Sequence, residues 1–158
     1  MRGKLIISLI AFVLIIIGSG SAIYAMTVGE AKDREDEQVV KARERLESRL
    51  SPTDVKAEGI FRGEDAYAVF RYEKDGKAQR AFVPLDYGAI ETRPVEDAIP
   101  LETVAEDARA ATGGRVISVK YGFENRALIE VVTQNGSGYD YSYYTYQEGS
   151  LIKRLTIN

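Results

Sequence analysis

The chain of 158 residues contains no cysteine and no histidine. Without cysteine there is no disulfide framework and no thiol for a lipid anchor, so the folded part must hold together by packing. Without histidine the usual general base is missing. The Ser-His and Cys-His nucleophile pairs go with it, as does any histidine-ligated zinc or copper site. What remains is carboxylate chemistry, a Ser-Lys pair or an oxygen-ligand metal site, and the sequence is read as carrying none of them. Glu35, Asp36 and Glu37 are adjacent, so on a helix they point apart. The glycines at Gly113-Gly114 and Gly136-Ser137-Gly138 lack the Lys-Ser/Thr ending of a phosphate loop and read as caps and turns. Ser118 and Lys120 alternate on a strand, where a solvated face is the expectation. The chain is therefore expected to be no enzyme, with no catalytic residue, no metal and no cofactor.

Charge of one sign is also scarce where a polyanion would need it. Arg2 and Lys4 account for two of the 21 basic residues, leaving 19 against 24 acidic ones in the remainder. That balance argues against nucleic acid and against adhesion to an anionic surface through bulk charge.

What the chain does have is an uncharged stretch from Leu5 to Gly29. As a helix rising ~1.5 Å per residue, Leu5 to Val28 would reach about 36 Å, enough for a hydrocarbon core of roughly 30 Å. Arg2 and Lys4 precede it, and Glu30, Asp33, Glu35, Asp36 and Glu37 follow. This asymmetry predicts a single-pass anchor over residues 1–29, with a cytoplasmic N-terminus and an extracytoplasmic C-terminal domain in the cell membrane. A cleaved signal peptide is the competing reading, with Leu5 to Ile17 as its apolar region and Gly20-Ser21-Ala22 as its cleavage site. The return of apolar character at Ala22, Ile23, Tyr24, Ala25 and Met26 favours the anchor.

The remaining residues read as one pattern written twice. Val39, Ala42, Leu46 and Leu50 mark one face of an amphipathic helix over residues 33–50, which Ser51-Pro52 should end. Strand-like runs follow at 55–61, 66–72, 78–85 and 89–92, with Asp75-Gly76 as a two-residue hairpin turn. A second helix is expected over 100–112, with Pro100 in its first turn. Its apolar face is Leu101, Val104, Ala105, Ala108 and Ala111, and Gly113-Gly114 ends it. Strands are expected again at 116–123, 127–133, 139–146 and 150–155. The halves register at an offset of 61: Val55 with Val116, Tyr67 with Leu128, Phe82 with Tyr143, Arg93 with Arg154. The expected class is α+β. An N-terminal transmembrane helix precedes two tandem repeats, 30–93 and 94–158, each a helix packed on an antiparallel sheet, with the two docked together.

The candidate interaction residues lie in the run Tyr139-Asp140-Tyr141-Ser142-Tyr143-Tyr144-Thr145-Tyr146. Alternation puts Tyr139, Tyr141 and Tyr143, the candidate partner-binding residues, on one face and Tyr144 and Tyr146 on the other. One set is expected to pack under a helix. The other either makes cross-strand aromatic contacts or forms a patch for a protein or glycan partner.

Three stretches carry a family resemblance: Phe82-Val83-Pro84, Ile99-Pro100-Leu101-Glu102-Thr103-Val104-Ala105, and Tyr139 to Gly149 leading into Leu151-Ile152-Lys153. With the anchor and the duplicated helix-and-sheet pattern, the chain resembles the TseB-like (YpmB-like) cell-wall elongation regulators of Gram-positive bacteria, whose ectodomains are built from PepSY-like repeats. It departs from them at Pro100, where a capping serine is usual, and at Thr145, where an aspartate is common. The resemblance implies a non-catalytic membrane protein that binds a penicillin-binding transpeptidase and supports peptidoglycan synthesis during elongation. An inhibitor or chaperone of a secreted peptidase is the alternative it implies. Oligomeric state is left open.

Overall fold

The computed structural model describes residues 32–158. The expected anchor lies outside them, and no helix among the described residues is long and apolar enough to cross a membrane. The chain divides into two compact units, Met1–Gln38 and Val39–Asn158. Of the first, the described residues are helical and mostly exposed; the second contains everything that follows.

The architecture is α+β, with two four-stranded antiparallel sheets and two helices. Helix α1 covers residues 32–50. Strands β1 (Thr53–Arg62), β2 (Ala66–Lys74), β3 (Lys77–Pro84) and β4 (Glu91–Pro94) form the first sheet in sequence order. A short 3-10 turn at Val95–Asp97 leads to helix α2 (Leu101–Thr112). Strands β5 (Arg115–Phe123), β6 (Ala127–Asn135), β7 (Gly138–Thr145) and β8 (Leu151–Ile157) then form the second sheet, again in order.

Local chemistry explains the punctuation. Ser51 ends α1 with a positive φ of 48°, which releases Pro52 from the helical geometry it disfavours. Asp75 and Gly76 both take positive φ, 53° and 74°, as a tight hairpin between twisted strands requires. Pro100 stands one residue earlier than expected. Its ψ of 134° is extended, so it caps α2 from outside, and no side chain satisfies the first-turn amides.

The apolar face expected for α1 is the one observed. Ala42 and Leu46 are buried on Ala68, Phe70, Tyr72, Ala81 and Val83, with Val39 and Leu50 at the margin. In α2 the buried positions are Val104 and Ala108, packed on Ile129, Val131 and Tyr144. Ala111, expected on that face, is exposed. The duplication reaches into the core: Ala68, Phe70 and Val83 under α1 stand 61 positions before Ile129, Val131 and Tyr144 under α2. At about 1.5–3 kcal/mol for each large apolar side chain buried, these two layers supply much of the driving force for folding.

The sheets meet through a third cluster, in which Val69 and Phe82 of the first pack on Phe123, Ala127 and Tyr146 of the second. Aromatic pairs run through it, with Phe82 and Phe123 at 5.6 Å and Tyr121 and Tyr146 at 5.7 Å between centroids. One buried cation sits beside them. Arg80 donates to both carboxylate oxygens of Glu58, at 2.5 and 3.0 Å, and to the Tyr146 hydroxyl at 2.6 Å. That hydroxyl in turn donates to the Pro94 carbonyl at 3.0 Å. Glu58 is the unpaired residue of a β-bulge in β1, between Ala57 and Gly59, and such a bulge re-aims the side chain it carries.

Candidate partner-binding surface

Strand pairing arranges the outer face of the second sheet, the one turned away from α2, in rows. In the innermost row Gly122 lies opposite Leu128, and the ring of Phe61, reaching across from β1, closes over them. The next row runs Lys120, Glu130, Tyr143, Lys153. After it comes Val132, Tyr141, Leu155, and then Gln134, Tyr139, Ile157 at the open end.

The charged row is internally satisfied. Lys120 Nζ lies 3.3 Å from Glu130, a carboxylate almost withdrawn from solvent. The solvated role expected for Lys120 is thus corrected, because a buried carboxylate in β6 demands a counter-charge. Lys153 Nζ pairs with Glu124 at 2.7 Å and lies 4.6 Å from the centre of the Tyr143 ring. Burial first, then the Glu130 charge and a hydrogen bond to that carboxylate, push the Tyr143 phenol far above its ordinary pKa. Ser150 and Lys153 have a Ser-x-x-Lys spacing that the sequence reading passed over. With the ammonium held on Glu124, nothing in the geometry makes them a nucleophile and base. Among the described residues, no three carboxylates gather as a metal site would require.

The two outer rows are different. Tyr139 is 37% exposed, Leu155 52% and Ile157 57%, and cross-strand pairing holds them side by side with Tyr141. Few apolar side chains are this exposed among the described residues, and here three are neighbours. An apolar group that stays uncovered between a satisfied charged row and a sheet edge has the character of an interaction surface. The edge belongs to β8, whose outer side has no pairing strand within its sheet.

The three tyrosines named from sequence therefore divide. Tyr139 and Tyr141 face the open rows, while Tyr143 is 6% exposed and packs against Phe61 and Leu128. Tyr143 is a floor for the surface and presents no free ring. On the opposite side Tyr144 packs under α2 as expected, and Tyr146 is drawn into the contact between the sheets. Leu155 and Ile157 were missed. Their signal was present in the alternation Lys153, Leu155, Ile157 on the last strand, once that strand is paired with β7 in register.

No protein-family model matches the chain, and no curated protein matches it. Among solved structures, the YpmB protein from Bacillus subtilis overlays with a TM-score of 0.64 at 23% identity, covering 74% of this chain and 95% of its own. A crystal structure described as a lipoprotein from Clostridium difficile 630 overlaps more weakly, with a TM-score of 0.42 at 9% identity over 75% of this chain and 91% of its own, and nothing is drawn from it. The fold of this chain is the fold of YpmB.

Proposed function

We propose that this chain is a YpmB-like, non-catalytic accessory protein of the cell envelope. Its second sheet docks a penicillin-binding transpeptidase and so supports peptidoglycan elongation. The observation that carries the docking is the exposed group of Tyr139, Leu155 and Ile157, with half-buried Tyr141 beside them, built on a sheet whose charged rows are already paired. The fold shared with YpmB and the family resemblance of the sequence motivate the choice of partner. The two halves correspond to PepSY-like repeats in this reading. Residues 1–29 hold them at the outer face of the membrane, and the protein works by position, holding its partner.

Photoreactive groups placed at Tyr139 and Tyr141 in living cells test it. Crosslinks to a membrane-bound transpeptidase are expected at both sites and not at Val40, an exposed apolar residue of α1. Crosslinks to a secreted peptidase, with none to a synthase, would replace this reading by an inhibitor of that peptidase. A reporter fused after Asn158 that is active in the cytoplasm would remove the extracytoplasmic placement.

A further inference from the structure

Away from the tyrosine surface, a cavity of about 290 Å³ opens where the end of the first sheet meets two turns of the second. Arg93 of β4 lines one side. Arg126, in the β5–β6 turn, lines another, and Gln147 and Glu148 of the β7–β8 turn complete the rim. Its floor is apolar, made by the buried residues Ala127 and Tyr146.

We infer that this cavity binds the free C-terminal carboxylate of a peptide. Arg93 is held in place while keeping donors to spare. Its Nη1 donates to the Thr92 carbonyl at 2.6 Å and lies 3.5 Å from Glu91, and its guanidinium sits 5.9 Å from the centre of the Phe123 ring. Those polar contacts all use Nη1, which leaves Nε and Nη2 for a ligand. The Arg126 side chain is exposed and makes no hydrogen bond or ion pair among the described residues. Two guanidinium groups turned to one cavity match the planar, bidentate geometry of a carboxylate or phosphate.

Glu148 decides between these two anions. A dianionic phosphate would meet its charge, whereas a peptide terminus brings one negative charge together with an amide N–H that Glu148 or Gln147 accepts. The volume falls at the small end of ligand sites and suits one or two residues, with a short side chain over Ala127. The inference does not depend on the docking of a transpeptidase at the other face, and the two are read by different residues.

The test is an amide chemical-shift titration of the full chain in detergent micelles. It uses N-acetyl-dialanine with a free carboxylate, the same peptide with an amidated end, and inorganic phosphate. Saturable shifts confined to residues around Arg126 and Gln147-Glu148 are expected with the free acid and none with the amide. Losing one charge-assisted contact in Arg126→Gln should weaken binding by about tenfold or more. Arg93→Gln should weaken it likewise, and Arg109→Gln, exposed on α2 outside the cavity, should leave it unchanged. An equal response to the amidated peptide, tighter binding of phosphate than of the acid, or indifference to Arg126→Gln would each overturn the inference.

Discussion

The guanidinium of Arg80 lies 3.5 Å from the centre of the Tyr121 ring, across the contact between the two sheets. Burial alone would lower its pKa. The Glu58 hydrogen bond, with Tyr146, Glu58 and Tyr121 around it, carries the pKa above the ordinary value, so the cation is held charged in the interior. Arg80 thereby ties β3 to the bulge of β1 on one side and to Tyr121 and Tyr146 of the second sheet on the other. Arg80→Met should remove that tie and its charge-assisted hydrogen bonds to Glu58 and Tyr146, at a cost of roughly 1–3 kcal/mol. Urea unfolding of the variant measures it. Glu58→Gln in the same chain should change stability little further, because the Glu58 carboxylate reaches solvent once its partner is gone, and a cost below about 1 kcal/mol for Arg80→Met would show the tie to be dispensable.

Gly122 makes room for Phe61. A Cβ built on Gly122 would stand 2.3 Å from Phe61 Cδ2, and one on Gly63 2.6 Å from Phe61 Cε1, so the fully buried ring is gripped between two bare backbones. Gly122→Ala should destabilise the protein by about 1–3 kcal/mol, since neither the ring nor the strand has space to yield. Phe61→Leu added to it should cost less than the sum of the two single changes. Simple additivity in thermal or urea unfolding would mean that the ring is not what the glycine accommodates.

These contacts show where the sequence was legible and where it was not. The hydrophobic alternation and the Gly and Pro punctuation located all eight strands and both helices to within one or two residues, because those signals are local. The offset of 61 foretold which residues take equivalent places in the two core layers, as Phe70 under α1 and Val131 under α2 do. What pairs across the sheets was hidden. Glu58 reaches Arg80 only because of an irregular bulge, and Lys120 finds Glu130 only through register. For the same reason Tyr143 reads from sequence as one of three equivalent rings. Its burial depends on Phe61, 82 positions earlier, and no periodicity within β7 carries that information.

Alkaline pH should loosen the fold. Burial raises the phenol pKa of Tyr67, Tyr72, Tyr121 and Tyr146 above the ordinary 10.0, and it raises that of Tyr143 further with the help of Glu130. Above about pH 10 the unfolded chain releases these protons while the folded chain keeps them, so the unfolded state binds fewer protons and stability falls as pH rises. Below that pH the same groups are protonated in both states and contribute no slope. The urea midpoint should therefore hold level up to about pH 9.5 and drop beyond it, with a shallower drop in Tyr143→Phe. A midpoint unchanged at pH 11 would contradict the burial of these phenols.

The open rows of the second sheet allow function to be separated from stability. Leu155 and Ile157 are more than half exposed, so replacing either by aspartate removes little packing and should change unfolding free energy by no more than about 0.5 kcal/mol. If they form the centre of a docking surface, the same changes bury a charge at the interface, and capture of the partner through a crosslinker at Tyr139 should fall by about tenfold or more. Ile117 supplies the control. It is 45% exposed, but it sits on the bulge of β5, outside these rows, so Ile117→Asp should leave capture unchanged. Equal loss from all three variants would point to a general effect of surface charge, and no loss from Leu155→Asp and Ile157→Asp would move the docking surface away from this face.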